Sequence, residues 1–68
     1  MSLMYANLLG NWTLLNGEPT LIIDNSYKDA SLWIEEKLST LNDYPYINIT
    51  FKNKNYRVHP SQIQIVTE

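Results

Sequence analysis

The chain of 68 residues contains no cysteine. That excludes disulfides, thiolate metal sites, cysteine nucleophiles and thiol redox chemistry together. A single histidine, His59, leaves no multi-histidine metal centre. No apolar run approaches the roughly 18 residues that span a membrane. No basic, apolar leader opens the chain, so the expected setting is cytoplasmic. Cations are few: five lysines and arginines stand against seven acids, a formal net charge of −2. With a pI of about 5.2, a uniformly basic nucleic-acid binder is not expected. There is no linker, internal repeat or low-complexity tract.

What is present suits one small globular domain. Hydrophobic residues make up 44% and charged residues 18%, enough apolar side chain for a core. Two tryptophans, five tyrosines and one phenylalanine are efficient fillers of a small core. A chain this short buries only about 60% of its unfolded surface. A closed small barrel, or a dimer that hides an edge or an apolar patch, would relieve that limit. Met1 and Met4 lie three apart, so residues 1–3 are expected to be an expression remnant and residues 4–68 the domain.

The strongest local signal is Asn16-Gly17, the sequence of a two-residue type I′ hairpin turn. Pairing Leu15 with Glu18 puts Trp12, Leu14, Leu21 and Ile23 on a core face, and Asn11, Thr13 and Thr20 on the other. A helix of about four turns follows, capped by Ser26, with Tyr27, Ala30, Ile34, Leu38 and Leu41 as its apolar stripe. Asn42-Asp43 and Pro45 end it. Ile47, Ile49 and Phe51 then alternate with Asn48, Thr50 and Lys52. A turn at Asn53-Lys54, or a longer one of the same parity, sets Phe51 against Tyr56, Ile49 against Val58 and Thr50 against Arg57. A last strand, 62–66, carries Ile63 and Ile65 on one face. The order β-β-α-β-β-β predicts an α+β domain. Its five-stranded antiparallel sheet is curled or closes into a partly open barrel, with one helix between strands 2 and 3. The expected core is Leu8 or Leu9, Trp12, Leu14, Leu21, Ile23, Ile34, Leu38, Leu41, Ile49, Phe51, Tyr56, Val58, Ile63 and Ile65.

The tail Tyr56-Arg57-Val58-His59-Pro60-Ser61-Gln62-Ile63-Gln64-Ile65-Val66 resembles the end of an SH3-like barrel, where a strand, a proline-containing single turn and a short final strand close the fold. The resemblance covers about a fifth of the chain. It implies SH3-like geometry and no proline-peptide groove, because the Ala-Leu-Tyr-Asp-Tyr run and the Trp-Trp pair of eukaryotic SH3 domains are absent. In size and asparagine content the chain otherwise resembles small bacterial or phage proteins.

No catalytic constellation emerges, and no catalytic residue, cofactor or metal is expected. His59 has no positioned partner at a recognisable spacing. Glu35 and Glu36 are adjacent on a helix and diverge by about 100°, so they cannot address one reacting atom. Two binding surfaces remain. Leu32, Trp33, Tyr44 and Tyr46 form the candidate interface of a protein-interaction module, a homodimer or an accessory subunit. The alternative is a nucleic-acid face. Residues 1–43 carry a net charge of −4 and residues 44–68 a net of +2. Lys52 and Arg57 share the polar side of the second hairpin, with Lys54 at its tip and Asn48 and His59 extending it, although its aromatics, Phe51 and Tyr56, point inward. The two Asn-X-Thr sequons, at Asn11 and Asn48, are chance matches without a secretory signal.

Overall fold

The computed structural model describes residues 2–68, a small α+β domain of six strands in two antiparallel sheets with one helix. The strands are β1 (Ser2–Leu8), β2 (Asn11–Leu14), β3 (Ile22–Ile23), β4 (Ile47–Phe51), β5 (Lys54–Val58) and β6 (Ile63–Thr67). The helix, α1 (Ala30–Lys37), lies between β3 and β4. It runs into a 3-10 segment, Leu38–Asp43, and a second 3-10 turn, Pro60–Gln62, joins β5 to β6. One sheet has the order β2-β1-β6 and the other β3-β4-β5. This is not the single five-stranded sheet expected, and it is not a closed barrel.

The difference begins at β1. Ser2 and Leu3, expected to lie outside the domain, pair with Thr67 and Val66 in the middle of the first sheet. β1 turns directly into β2, with Asn7 opposite Trp12 and Leu8 opposite Asn11. The connecting Leu9 and Gly10 both have positive φ, 54° and 89°, the requirement of a type I′ turn. Asn16-Gly17 does not make a hairpin. Only Gly17 of that pair has positive φ, and the Glu18 N–H reaches the Leu15 carbonyl at 3.4 Å, the pattern of a type II turn. The Asn16 side chain explains why. Its Oδ1 accepts from the Met4 N–H at 2.8 Å, and its Nδ2 donates to the Ser2 carbonyl and to Ser31 Oγ, each at 3.4 Å. The amide thus continues the β1 ladder beyond Leu15, whose own N–H bonds to the Met4 carbonyl.

With β2 paired to β1 rather than to β3, the faces of β2 invert. Leu15 is fully buried, whereas Trp12 and Leu14 are 52% and 40% exposed. The second hairpin keeps its expected faces with a register shifted by two. Its turn is Lys52-Asn53, both at positive φ, so Phe51 meets Lys54, Ile49 meets Tyr56 and Asn48 meets Arg57. An even shift leaves inward and outward residues unchanged.

The helix is shorter than its sequence stripe. Residues 24–27 are taken by a turn and by the bridge Ile23–Tyr27, in which the Ile23 N–H bonds to the Tyr27 carbonyl at 2.6 Å. Capping therefore falls to Asp29 rather than Ser26, and its carboxylate accepts from the Ser31 N–H at 2.9 Å. The helix buries Ala30, Trp33 and Ile34, packs mainly on β1, and leaves Leu38 exposed where the stripe predicted core. The inward residues of both sheets join it in one core: Met4, Ala6, Leu8, Leu15, Leu21, Ile23, Ile47, Ile49, Val58 and Ile63, with Phe51, Tyr56, Leu41 and Ile65 packed partly against it. The tail has the expected order of strand, proline-containing single turn and final strand. Among the described residues no helix is long and apolar enough to cross a membrane.

Candidate binding surfaces

The candidate residues fall on two separate sheet faces. On the first sheet, the register directs Leu3, Tyr5 and Asn7 of β1 outward, with Trp12 and Leu14 on one side and Gln64 and Val66 on the other. Gln62 joins them, since the Asn7 Nδ2 donates to its Oε1 at 2.9 Å. None of these residues is charged. They lie in rows: Trp12–Asn7–Gln62, then Leu14–Tyr5–Gln64, then Leu3–Val66. The apolar members therefore form a diagonal band from Trp12 at one corner to Val66 at the other. The amides fill one flank. Trp12, Leu14 and Val66 are each more than a third exposed.

On the second sheet, Tyr46, Asn48 and Thr50 point outward from the β4 side, and Asn55 and Arg57 from β5. The Arg57 guanidinium lies over the Tyr46 ring, 4.4 Å from its centroid. Beside this stack is a shallow concavity of about 280 Å³, lined by Asn25, Asn48, Ile49, Thr50, Asn55 and Tyr56. The Thr50 hydroxyl donates to Asn55 Oδ1 at 2.7 Å. Lys52 sits in the hairpin turn with its ammonium 5.6 Å from the Phe51 ring centroid, rather than on the sheet face.

The expected interface group does not stay together. Trp33 is completely buried and belongs to the core: Ala30, Trp33 and Ile34 share the inward side of the helix. Its neighbour Leu32 is 44% exposed on the other side. Tyr44 is half-buried against the core, and Tyr46 is drawn to Arg57 in the second group. His59 is turned to its own chain. Its Nδ1 accepts from the Ser61 N–H at 3.0 Å and caps the 3-10 turn. Among the described residues no cluster of three or more metal-ligating side chains is present.

The sequence reading places Trp12 and Leu14 in the core, because Asn16-Gly17 draws β2 into the wrong pairing, sets Leu3 aside with residues 1–3, and gives Tyr5 and Val66 no role. The signal that identifies them is Gly10, the second central residue of a possible I′ turn, together with the alternation of Met4, Ala6 and Leu8. That alternation is masked because the outward residues Leu3 and Tyr5 are themselves apolar. The chain matches no protein-family model, and neither a curated protein nor a solved structure is significantly similar to it.

Proposed function

We propose that the protein is a non-catalytic interaction module whose outward first-sheet face docks on a second copy of itself. The exposed Trp12 in an uncharged, contiguous apolar band carries the reading. Exposed aromatics of this kind are the usual anchors of interfaces. A second copy is the occupant because the pattern is self-complementary. A two-fold axis lying in the face and crossing the band at right angles places Trp12 of each copy over Leu3 and Val66 of the other. The same rotation sets amides over amides and opposes no like charges, although the chain as a whole carries −2. A charged partner would find nothing on this face to pair with.

The size of the band sets the strength. Strands about 4.8 Å apart and rows about 7 Å apart give a footprint of a few hundred Å² per copy. That falls short of the roughly 800 Å² per partner of a standard interface, so the expected affinity is about micromolar or weaker. An SH3-like arrangement of the strands belongs to the same proposal, supported by the passage from β5 through Pro60–Gln62 to β6. Sedimentation equilibrium between about 10 µM and 1 mM tests the docking, a range that brackets such a weak affinity. The apparent mass should rise from 7.9 kDa towards twice that value. Val66→Asp, which puts a carboxylate into the band, should hold it at the monomer. A constant monomer mass for the natural chain at 1 mM would overturn the proposal.

A further inference from the structure

The outward face of the second sheet carries a different chemistry. Its concavity is lined by three asparagines and Thr50, together with Ile49 and Tyr56. The side chains of Asn25 and Asn48 have no hydrogen-bond partner among the described residues, and Asn55 accepts from Thr50 through Oδ1. Its Nδ2 therefore remains a donor. Carboxamides pair a donor with an acceptor at a fixed spacing, which is what the edge of a nucleobase presents. Next to them the planar Arg57 guanidinium lies over the Tyr46 ring plane, 4.4 Å from its centroid. Unstacked bases settle on such planes.

Charge gives the face a direction. Arg57 lies on β5, at one edge of the sheet, and is not ion-paired among the described residues, whereas Lys54, opposite Phe51, leaves β5 on the other face. Asp24 lies at the other edge, its N–H bonded to the Asn48 carbonyl at 2.7 Å. Phosphates are therefore drawn to the β5 edge and repelled from the β3 edge. A base attached to a backbone running along β5 would cross β4 towards Asn48 and Asn25.

From this juxtaposition we infer that the face binds single-stranded nucleic acid, with one unstacked base in the asparagine-lined concavity and a flanking phosphate on Arg57. The surface is separate from the apolar band, and the inference does not depend on self-association. Tyr46 supplies the outward aromatic that the inward-pointing Phe51 and Tyr56 do not.

The test is fluorescence anisotropy of labelled mixed-sequence DNA and RNA octamers, with inorganic polyphosphate as competitor. One neutralised phosphate implies a loss of about 5-fold in affinity between 20 and 200 mM salt. Arg57→Gln should reduce the logarithmic salt slope by about 0.7. Asn48→Ala should weaken binding at every salt concentration and leave the slope unchanged. Circular dichroism of both variants checks that they remain folded. A preference between the DNA and RNA octamers identifies which sugar the face accepts, and either result supports the inference. No binding at 20 mM salt overturns it. So does binding that polyphosphate abolishes equally well and that Asn48→Ala leaves intact, because the base would then contribute nothing.

Discussion

Leu9 is held where a side chain is least welcome. It is 89% exposed and has a φ of 54°, in the left-handed region. An L residue there carries a penalty of roughly 1–2 kcal/mol, which asparagine largely avoids through local hydrogen bonding. Leu9→Asn would create an Asn-Gly pair at a turn that already has I′ geometry. The expected result is a gain of about 0.5–1 kcal/mol, read as a higher urea midpoint with an unchanged slope. Loss of stability would mean that the turn relaxes to another form in solution. The contrast with Asn16-Gly17 is instructive, since the sequence best suited to a I′ turn is not used as one. The Asn16 amide bonds to Met4, Ser2 and Ser31 instead. Turn propensity ranks conformers of an isolated segment, and three tertiary hydrogen bonds outweigh its preference of about a kcal/mol.

At the scale of elements, the loop between β2 and β3 is tied to the second hairpin by a short relay. The Lys52 N–H donates to Thr20 Oγ1 at 2.8 Å, and Thr20 donates to the Glu18 carboxylate at 2.6 Å through its hydroxyl and at 3.2 Å through its N–H. The Thr20 hydroxyl, then its N–H, and to a smaller extent the charge of Lys52 hold the Glu18 carboxyl below its ordinary value of 4.5. A depressed folded-state pKa adds stability that is present above about pH 4.5 and is lost as the pH falls through the folded value. The difference in melting temperature between the natural chain and Glu18→Gln should therefore be larger at pH 7 than at pH 3. A difference that does not shrink on acidification would show that the relay does not depend on the charge. Such links explain which elements were legible in the sequence. The second hairpin was, because Ile47, Ile49 and Phe51 alternate cleanly and a two-residue register error preserves the faces. The helix was legible as an element but not at its start, since residues 24–27 bond back to Ile23. β1 was not legible, because both of its faces carry apolar residues. With it went the pairing of β2 and the apolar band.

At the scale of the whole molecule, one helix position decides whether the chain folds. Leu32 and Trp33 are neighbours in sequence and were expected to share a surface, yet Leu32 is 44% exposed and Trp33 is fully buried. A 68-residue domain without disulfides has a net stability of about 3–10 kcal/mol. Removing a buried indole forfeits roughly 3–5 kcal/mol through lost burial and the cavity left behind. The buried Trp33 Nε1 has no hydrogen-bond partner among the described residues, which offsets part of the indole's apolar gain. Trp33→Ala should therefore leave the chain largely unfolded or close to its midpoint at 25 °C. Leu32→Ala should shift stability by no more than about 0.5 kcal/mol, as exposed substitutions do. Urea titrations followed by circular dichroism separate the two. A Trp33→Ala chain as stable as Leu32→Ala would mean that the sheets close over each other without the helix. If self-association contributes as proposed, the stability of the natural chain and of Leu32→Ala should also rise with protein concentration, by mass action, and that of Val66→Asp should not. The core and the proposed docking band are opposite faces of one strand, β1, so the pairing that buries Met4, Ala6 and Leu8 is also what presents Leu3 and Tyr5.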